Sequence, residues 1–200
     1  MSHEPSASPL ILGGAHTPRA ALPQLPPLAL YIHIPWCVRK CPYCDFNSHA
    51  ASPTLPEEEY VDALLADLDQ DLHAVHGREL SSIFFGGGTP SLFSAQALGR
   101  LLKGVEQRIR FAPDIEITLE ANPGTFEQEK FTAYRALGIN RLSIGIQSFQ
   151  EQKLKALGRI HNGDEAIRAA GMARQAGFDN FNLDLMHGLP DQSLDDALGD

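Results

Sequence analysis

Three cysteines, Cys37, Cys41 and Cys44, stand within one short stretch, and they are all the cysteines the chain has. They follow the apolar run Leu28-Ala29-Leu30-Tyr31-Ile32-His33-Ile34, closed by Pro35, which reads as a buried strand opening into a loop at its carboxyl end. Three thiols at C-x3-C-x2-C spacing are placed to hold something, and three kinds of bond compete. A disulfide would leave one thiol over, and nothing else in the chain points to an oxidising compartment. Structural zinc would need a fourth ligand, such as His33 or His49, and usually draws its ligands from two separated pairs. An iron–sulfur cluster takes cysteine thiolates as its normal ligands. A four-iron cubane on three of them keeps one iron open to another molecule.

Short apolar runs recur along the chain, at 28–34, 81–85, 115–120, 141–146 and 180–185, and each reads as a strand. Helical patterns lie between them. Pro56 followed by Glu57, Glu58 and Glu59 puts a φ-fixed residue and negative charge at a helix start. Tyr60, Val61, Leu64, Leu65, Leu68 and Leu72 then recur at helical spacing, so that face packs inward. Further helices are expected at 94–109, 127–137, 150–157 and 163–176, and another begins near Leu194; Gly138 and Gly177 are placed as stops. Repeated strand-then-helix units predict an α/β fold with a parallel sheet, outer helices and right-handed crossovers.

In barrels of such units the chemistry sits at the carboxyl ends of the strands. The cysteine loop follows the first strand and Gly86-Gly87-Gly88-Thr89-Pro90 the second. Glu120-Ala121-Asn122-Pro123-Gly124 ends the third, Gln147-Ser148-Phe149 the fourth, and the segment from Asp184 to Pro190 the fifth. Consecutive glycines let a backbone come close to a ligand and present its N–H and C=O groups, although a tight turn would use them equally well.

The bulk properties set limits. A net charge of −9 disfavours a general nucleic-acid surface, and no apolar run is long enough to span a membrane. Residues 1–27 are rich in proline without any period and lack the layout of a secretory signal, so a disordered tail is expected there and the folded unit over 28–200. Sparse cysteines that look reduced suit the cytoplasm.

The motif and its flanks, Tyr31-Ile32-His33-Ile34-Pro35-Trp36-Cys37 before and Tyr43-Cys44-Asp45-Phe46-Asn47-Ser48 at the end, resemble the radical S-adenosylmethionine (SAM) enzymes. The likeness is to the branch that holds oxygen-independent coproporphyrinogen III oxidase and its haem-chaperone relatives, and it runs from about Leu28 to Asp200. It implies a partial (β/α)6 barrel, here about five βα units, with a [4Fe–4S] cluster on Cys37, Cys41 and Cys44. It implies further that Gly87, Gly88 and Thr89 hold the methionine end of SAM, and that Tyr31, Tyr43, Glu120, Gln147, Arg159 and Asp184 complete the cofactor pocket. Glu120 would accept from the ammonium or ribose, Gln147 and Asp184 would hold hydroxyls, and Arg159 would meet the carboxylate. Family members cleave SAM reductively to a 5′-deoxyadenosyl radical.

The oxidase carries a fourth cysteine two places beyond the third, where this chain has Phe46. The resemblance therefore implies a haem chaperone, with haem or porphyrin, an electron donor and haem-accepting proteins as partners. Coproporphyrinogen oxidation is the alternative, and a zinc-stabilised module is the reading from another class. The family continues into a further barrel unit and a C-terminal domain, so the chain reads as an N-terminal piece. His33 is expected to be a hydrogen-bonded interior residue, while His161 and His187 receive no role.

Overall fold

The computed structural model describes residues 25–125 and 127–200. The expected tail lies outside the described residues except for its end, where the Pro26 carbonyl accepts from Arg78 Nη1 at 3.0 Å. Five strands form the sheet: β1 (Leu28–Ile34), β2 (Leu80–Gly87), β3 (Phe111–Ala121), β4 (Arg141–Gln147) and β5 (Phe181–Leu185). They pair in parallel and in chain order. Between them run α1 (Glu57–Asp71), α2 (Ala95–Glu106), α3 (Gln128–Ala136), α4 (Glu151–Ala156) and α5 (Gly163–Gln175), and α6 (Leu194–Gly199) follows β5.

Register explains the core. Ile32, Phe85, Leu119, Leu142 and Phe181 stand side by side across the five strands. All but Phe181 are buried, and they pack with Val61, Leu98, Leu101, Phe131, Ala169 and Ala173 of the helices. Each of the larger side chains contributes about 1.5–3 kcal/mol by leaving water. The opposite face carries Tyr31, Phe84, Thr118 and Arg141 in one row, then Glu120, Ser143 and Asn182, then Gly145 and Asp184. Parallel strands are ordinarily apolar on both sides. Here one side is polar and open.

Two edges differ from the sequence expectation. β3 begins at Phe111 rather than 115, because Phe111 pairs with Leu80 before the register jumps to Ser82–Glu116, and the slack holds Pro113. β2 continues to Gly87, pairing His33 with Gly86 and Ile34 with Gly87. Gly138 and Gly177 do follow α3 and α5, at φ +95° and +89°. Glu57 reaches beyond its own helix: its carboxylate accepts from Ser94 N at 2.7 Å and Ser94 Oγ at 2.5 Å, while Ser94 Oγ accepts from Ala97 N and caps α2.

Candidate functional site

The carboxyl ends of the strands surround a cleft of about 520 Å³. Of the residues expected at a site, Cys37, Cys41, Cys44, Tyr43, Gly87, Gly88, Thr89, Glu120, Gln147, Arg159 and Asp184 all line it. Tyr31 does not. It stands on the same sheet face with its ring over Phe84, and its hydroxyl meets His33 Nδ1 at 2.9 Å.

The cysteine loop is anchored at both ends. At its root Trp36 packs against Tyr60 and Phe93, with ring centroids 4.7 and 5.7 Å away. Trp36–Cys37 and His49–Ala50 form a short parallel bridge, closed by His49 N donating to Pro35 O and Ala51 N to Cys37 O, each at 2.7 Å. Lys40 Nζ reaches across to the carbonyls of Phe46 and Ser48, and His33 Nε2 lies 2.8 Å from Asn47 O. The three thiols are free and half-buried. His33 is thus hydrogen-bonded through both nitrogens, as expected, but it is half-buried on the cleft-side face of β1 rather than interior.

The glycines come close to this loop. A Cβ on Gly88 would lie 2.7 Å from the Trp36 carbonyl oxygen, and one on Gly87 would meet the His33 ring at 2.6 Å. Gly87 also sits at φ +116°, where side chains are strained. Gly88 N donates to Ile34 O at 2.7 Å and Thr89 N to Trp36 O at 2.8 Å, so the glycine segment and the loop root are joined by backbone. On its other side Gly87 N donates to Glu120 Oε2 at 3.1 Å. Burial pushes the Glu120 carboxyl above its ordinary range; the Gly87 N–H pulls it back, and Asp184 raises it again.

β4 ends in an irregularity. Gln147 adopts φ +65°, a left-handed conformation unusual for a residue with a side chain, and the register with β5 slips between Gly145 and Gln147. Its Oε1 is enclosed without a partner. Beside it, Arg159 Nη2 donates to Asn122 Oδ1 at 2.5 Å and Gly145 O at 2.9 Å, while Nη1 approaches Cys41 Sγ at 3.6 Å. Its Nε is enclosed and unpartnered. The guanidinium therefore has two protons left for anything new, the Nε–H and one on Nη1. Burial raises the Tyr43 phenol, which lies in hydrogen-bonding reach of Cys41 and Arg159, and the Arg159 charge works against that rise. Asp184 accepts from Ser143 Oγ at 2.7 Å and Asn182 Nδ2 at 2.5 Å.

Asn122, given no role by sequence reading, links two parts of the cleft: its Oδ1 holds Arg159 and its Nδ2 donates to Thr89 Oγ1 at 3.0 Å. Its position in the strand-end cluster with Glu120 was the available signal. Phe84, Ser143 and Met186 also line the cleft. His187 is exposed and lies outside its lining.

Comparison with known proteins bears on the family and the fold. Over 177 residues the chain is 62% identical to "Heme chaperone HemW" of Escherichia coli (strain K12), covering 88% of this chain and 47% of that protein. Over 168 residues it is 40% identical to "Radical S-adenosyl methionine domain-containing protein 1, mitochondrial" of Mus musculus, covering 84% of this chain and 38% of that one. Among solved structures, coproporphyrinogen III oxidase (HemN) of Escherichia coli matches with a TM-score of 0.78 at 32% identity, over 86% of this chain and 40% of that chain. The chain spans about half the length of the haem chaperones it matches. Its five-stranded parallel sheet is the partial barrel of that fold. A family model described as the radical SAM superfamily matches residues 31–199, and the chain belongs to that superfamily, whose domain works with SAM and a [4Fe–4S] cluster.

Proposed function

We propose that this chain is the cluster- and SAM-binding barrel of a haem-handling protein, a haem chaperone rather than a porphyrinogen oxidase. What supports the cofactors is one observation: three free thiols share a cleft with a glycine segment and enclosed polar atoms that have no partner. Buried polar atoms are ordinarily paired, so Gln147 Oε1 invites a ligand. Among the described residues no three His, Cys, Asp or Glu side chains are gathered tightly enough for a single metal ion. A four-iron cluster is larger than an ion and takes thiolates at separate corners. His33, one candidate for a fourth zinc ligand, already has both nitrogens engaged.

On this reading Cys37, Cys41 and Cys44 hold the cluster, and the bare backbone of Gly87 and Gly88 lets the methionine end of SAM come close. Glu120 accepts from its ammonium, Gln147 and Asp184 hold hydroxyls, and the remaining Nη1 proton of Arg159 meets the carboxylate. The reduced cluster, when bound, supplies the electron that cleaves the sulfonium. Phe46 favours the chaperone over the oxidase: it lines the cleft, 58% exposed, where the resembling oxidase has a fourth thiol. Free thiols fit a reducing compartment such as the cytoplasm. No helix among the described residues is long and apolar enough to cross a membrane.

The test is paired. Anaerobic reconstitution should give about four irons and four sulfides per chain, with the visible absorption of a cluster. Colourless protein holding stoichiometric zinc overturns the cofactor reading. The protein that carries this chain should then bind haem in an absorbance titration and leave coproporphyrinogen III unconverted in the presence of SAM and a reductant. Formation of protoporphyrinogen overturns the chaperone reading in favour of the oxidase.

A further inference from the structure

His161 touches no part of the cleft, yet it is 4% exposed and hydrogen-bonded to the strand end that shapes it. Its Nε2 lies 3.0 Å from the carbonyl oxygen of Ile146. A carbonyl only accepts, so Nε2 carries a proton. The ring's Nδ1 is enclosed without a partner. Burial and the nearby Arg159 charge both lower the pKa of His161, in keeping with a neutral ring.

Ile146 is the residue immediately before Gln147. Around the irregular end of β4, three successive carbonyls take three different donors. Gly145 O accepts from Arg159 Nη2, Ile146 O from His161 Nε2, and Gln147 O from Met186 N at 2.9 Å. The last comes from the main chain just past β5. The first two come from side chains of the Arg159-Ile160-His161 segment. That segment is itself fixed by the capping box of α5, in which Asn162 Oδ1 accepts from Glu165 N and Glu165 Oε2 accepts from Asn162 N, each at 2.9 Å.

We propose that His161 is a positioning residue: by holding the Ile146 carbonyl, it keeps Gln147 in its left-handed turn and so sets the affinity of the cleft for SAM. A left-handed conformation persists at a residue with a side chain only where its surroundings hold it there. With the imidazole N–H removed, the buried Ile146 carbonyl loses its partner, and the peptide between Ile146 and Gln147 is free to rotate toward one. The Gln147 amide then leaves the cleft. This inference rests on the reading of the cleft as a SAM site.

The experiment measures SAM dissociation constants and iron content on the cluster-loaded chain. His161→Leu keeps bulk and removes the donor, His161→Gln restores an N–H, and each is made alone and together with Gln147→Gly. His161→Leu should weaken SAM binding about tenfold, equivalent to roughly 1.4 kcal/mol, with iron content retained. His161→Gln should recover most of that loss. In the Gln147→Gly background His161→Leu should add nothing, the non-additivity expected of residues acting through one another. Binding by His161→Leu within twofold of the parent overturns the proposal. So do a His161→Gln variant as weak as His161→Leu, an undiminished loss in the Gln147→Gly background, and iron lost in step with SAM. If the parent itself fails to bind SAM, it is the reading of the cleft that falls.

Discussion

Replacing Gln147 by glycine should make the cofactor-free protein more stable and its SAM binding weaker. A residue with a Cβ costs roughly 1–2 kcal/mol in the left-handed region, and Gln147 stands there at φ +65°. Glycine removes that strain but costs about 0.5–1 kcal/mol in extra freedom of the unfolded chain. The substitution also removes Oε1, which is enclosed without a partner. An unsatisfied buried polar atom carries a penalty of about 1–3 kcal/mol, part of which is offset by the packing of a half-buried side chain. The net expectation is a gain of about 1 kcal/mol, or roughly 2–4 °C in melting temperature for a domain of this size. Gln147→Ala separates the contributions, since it loses the same amide but keeps the strained Cβ; the glycine variant should exceed it by about 1 kcal/mol. SAM affinity should fall about tenfold in both variants, because both lose the amide. The assay is chemical denaturation of the cluster-free protein beside equilibrium SAM binding of the loaded one. A glycine variant no more stable than the alanine variant would refute the strain argument, and unchanged SAM affinity in both would refute the role of the amide.

Three further outcomes follow from the same geometry. Gly88→Ala should lose the cluster as well as SAM, because its Cβ would lie 2.7 Å from backbone at Trp36; Gly87→Ala, whose Cβ meets the His33 ring, should retain iron while weakening SAM binding, and iron assays on the two check the difference. Glu120→Gln should flatten part of the pH dependence of stability. Burial raises the folded-state pKa of Glu120, so its contribution is fully present below the ordinary carboxylate value and is lost as pH rises through the raised one; denaturation midpoints that decline in parallel for parent and variant would count against it. Asn162→Ala removes one half of the α5 capping box and should cost about 1 kcal/mol, seen as a fall of roughly 2–4 °C in melting temperature.

Sequence reading located the five strands because their helix-facing residues, such as Ile32, Phe85, Leu119 and Leu142, are large, apolar and set at alternate positions. It stopped β2 short of the glycines, since glycine has no side chain to announce a strand and only the pairing with His33 and Ile34 reveals one. The cleft was legible for a topological reason: parallel units bring every strand end to one side, so the polar ends had to meet. What stayed hidden were links between residues far apart in the chain. Asn122 joining Thr89 to Arg159 and Arg159 approaching Cys41 depend on how loops fold over one another, and no local pattern encodes them. His161 was passed over because its partner is a main-chain carbonyl, which leaves no trace in side-chain spacing.

The short bridge between Trp36–Cys37 and His49–Ala50 bears on the order in which the molecule is made. A metal-nucleated domain is unfolded until its ion arrives, and the ion's binding energy is spent on closing the chain around it. Here the ends of the cysteine loop are already tied by main-chain bonds to the barrel, and Lys40 and His33 restrain its middle. The entropy of closing the loop is therefore met by the sheet and its helices. Iron arrives at a ready chelate. The barrel should fold first and be metallated afterwards, with assembly limited by delivery of iron and sulfide rather than by the chain's search for its shape.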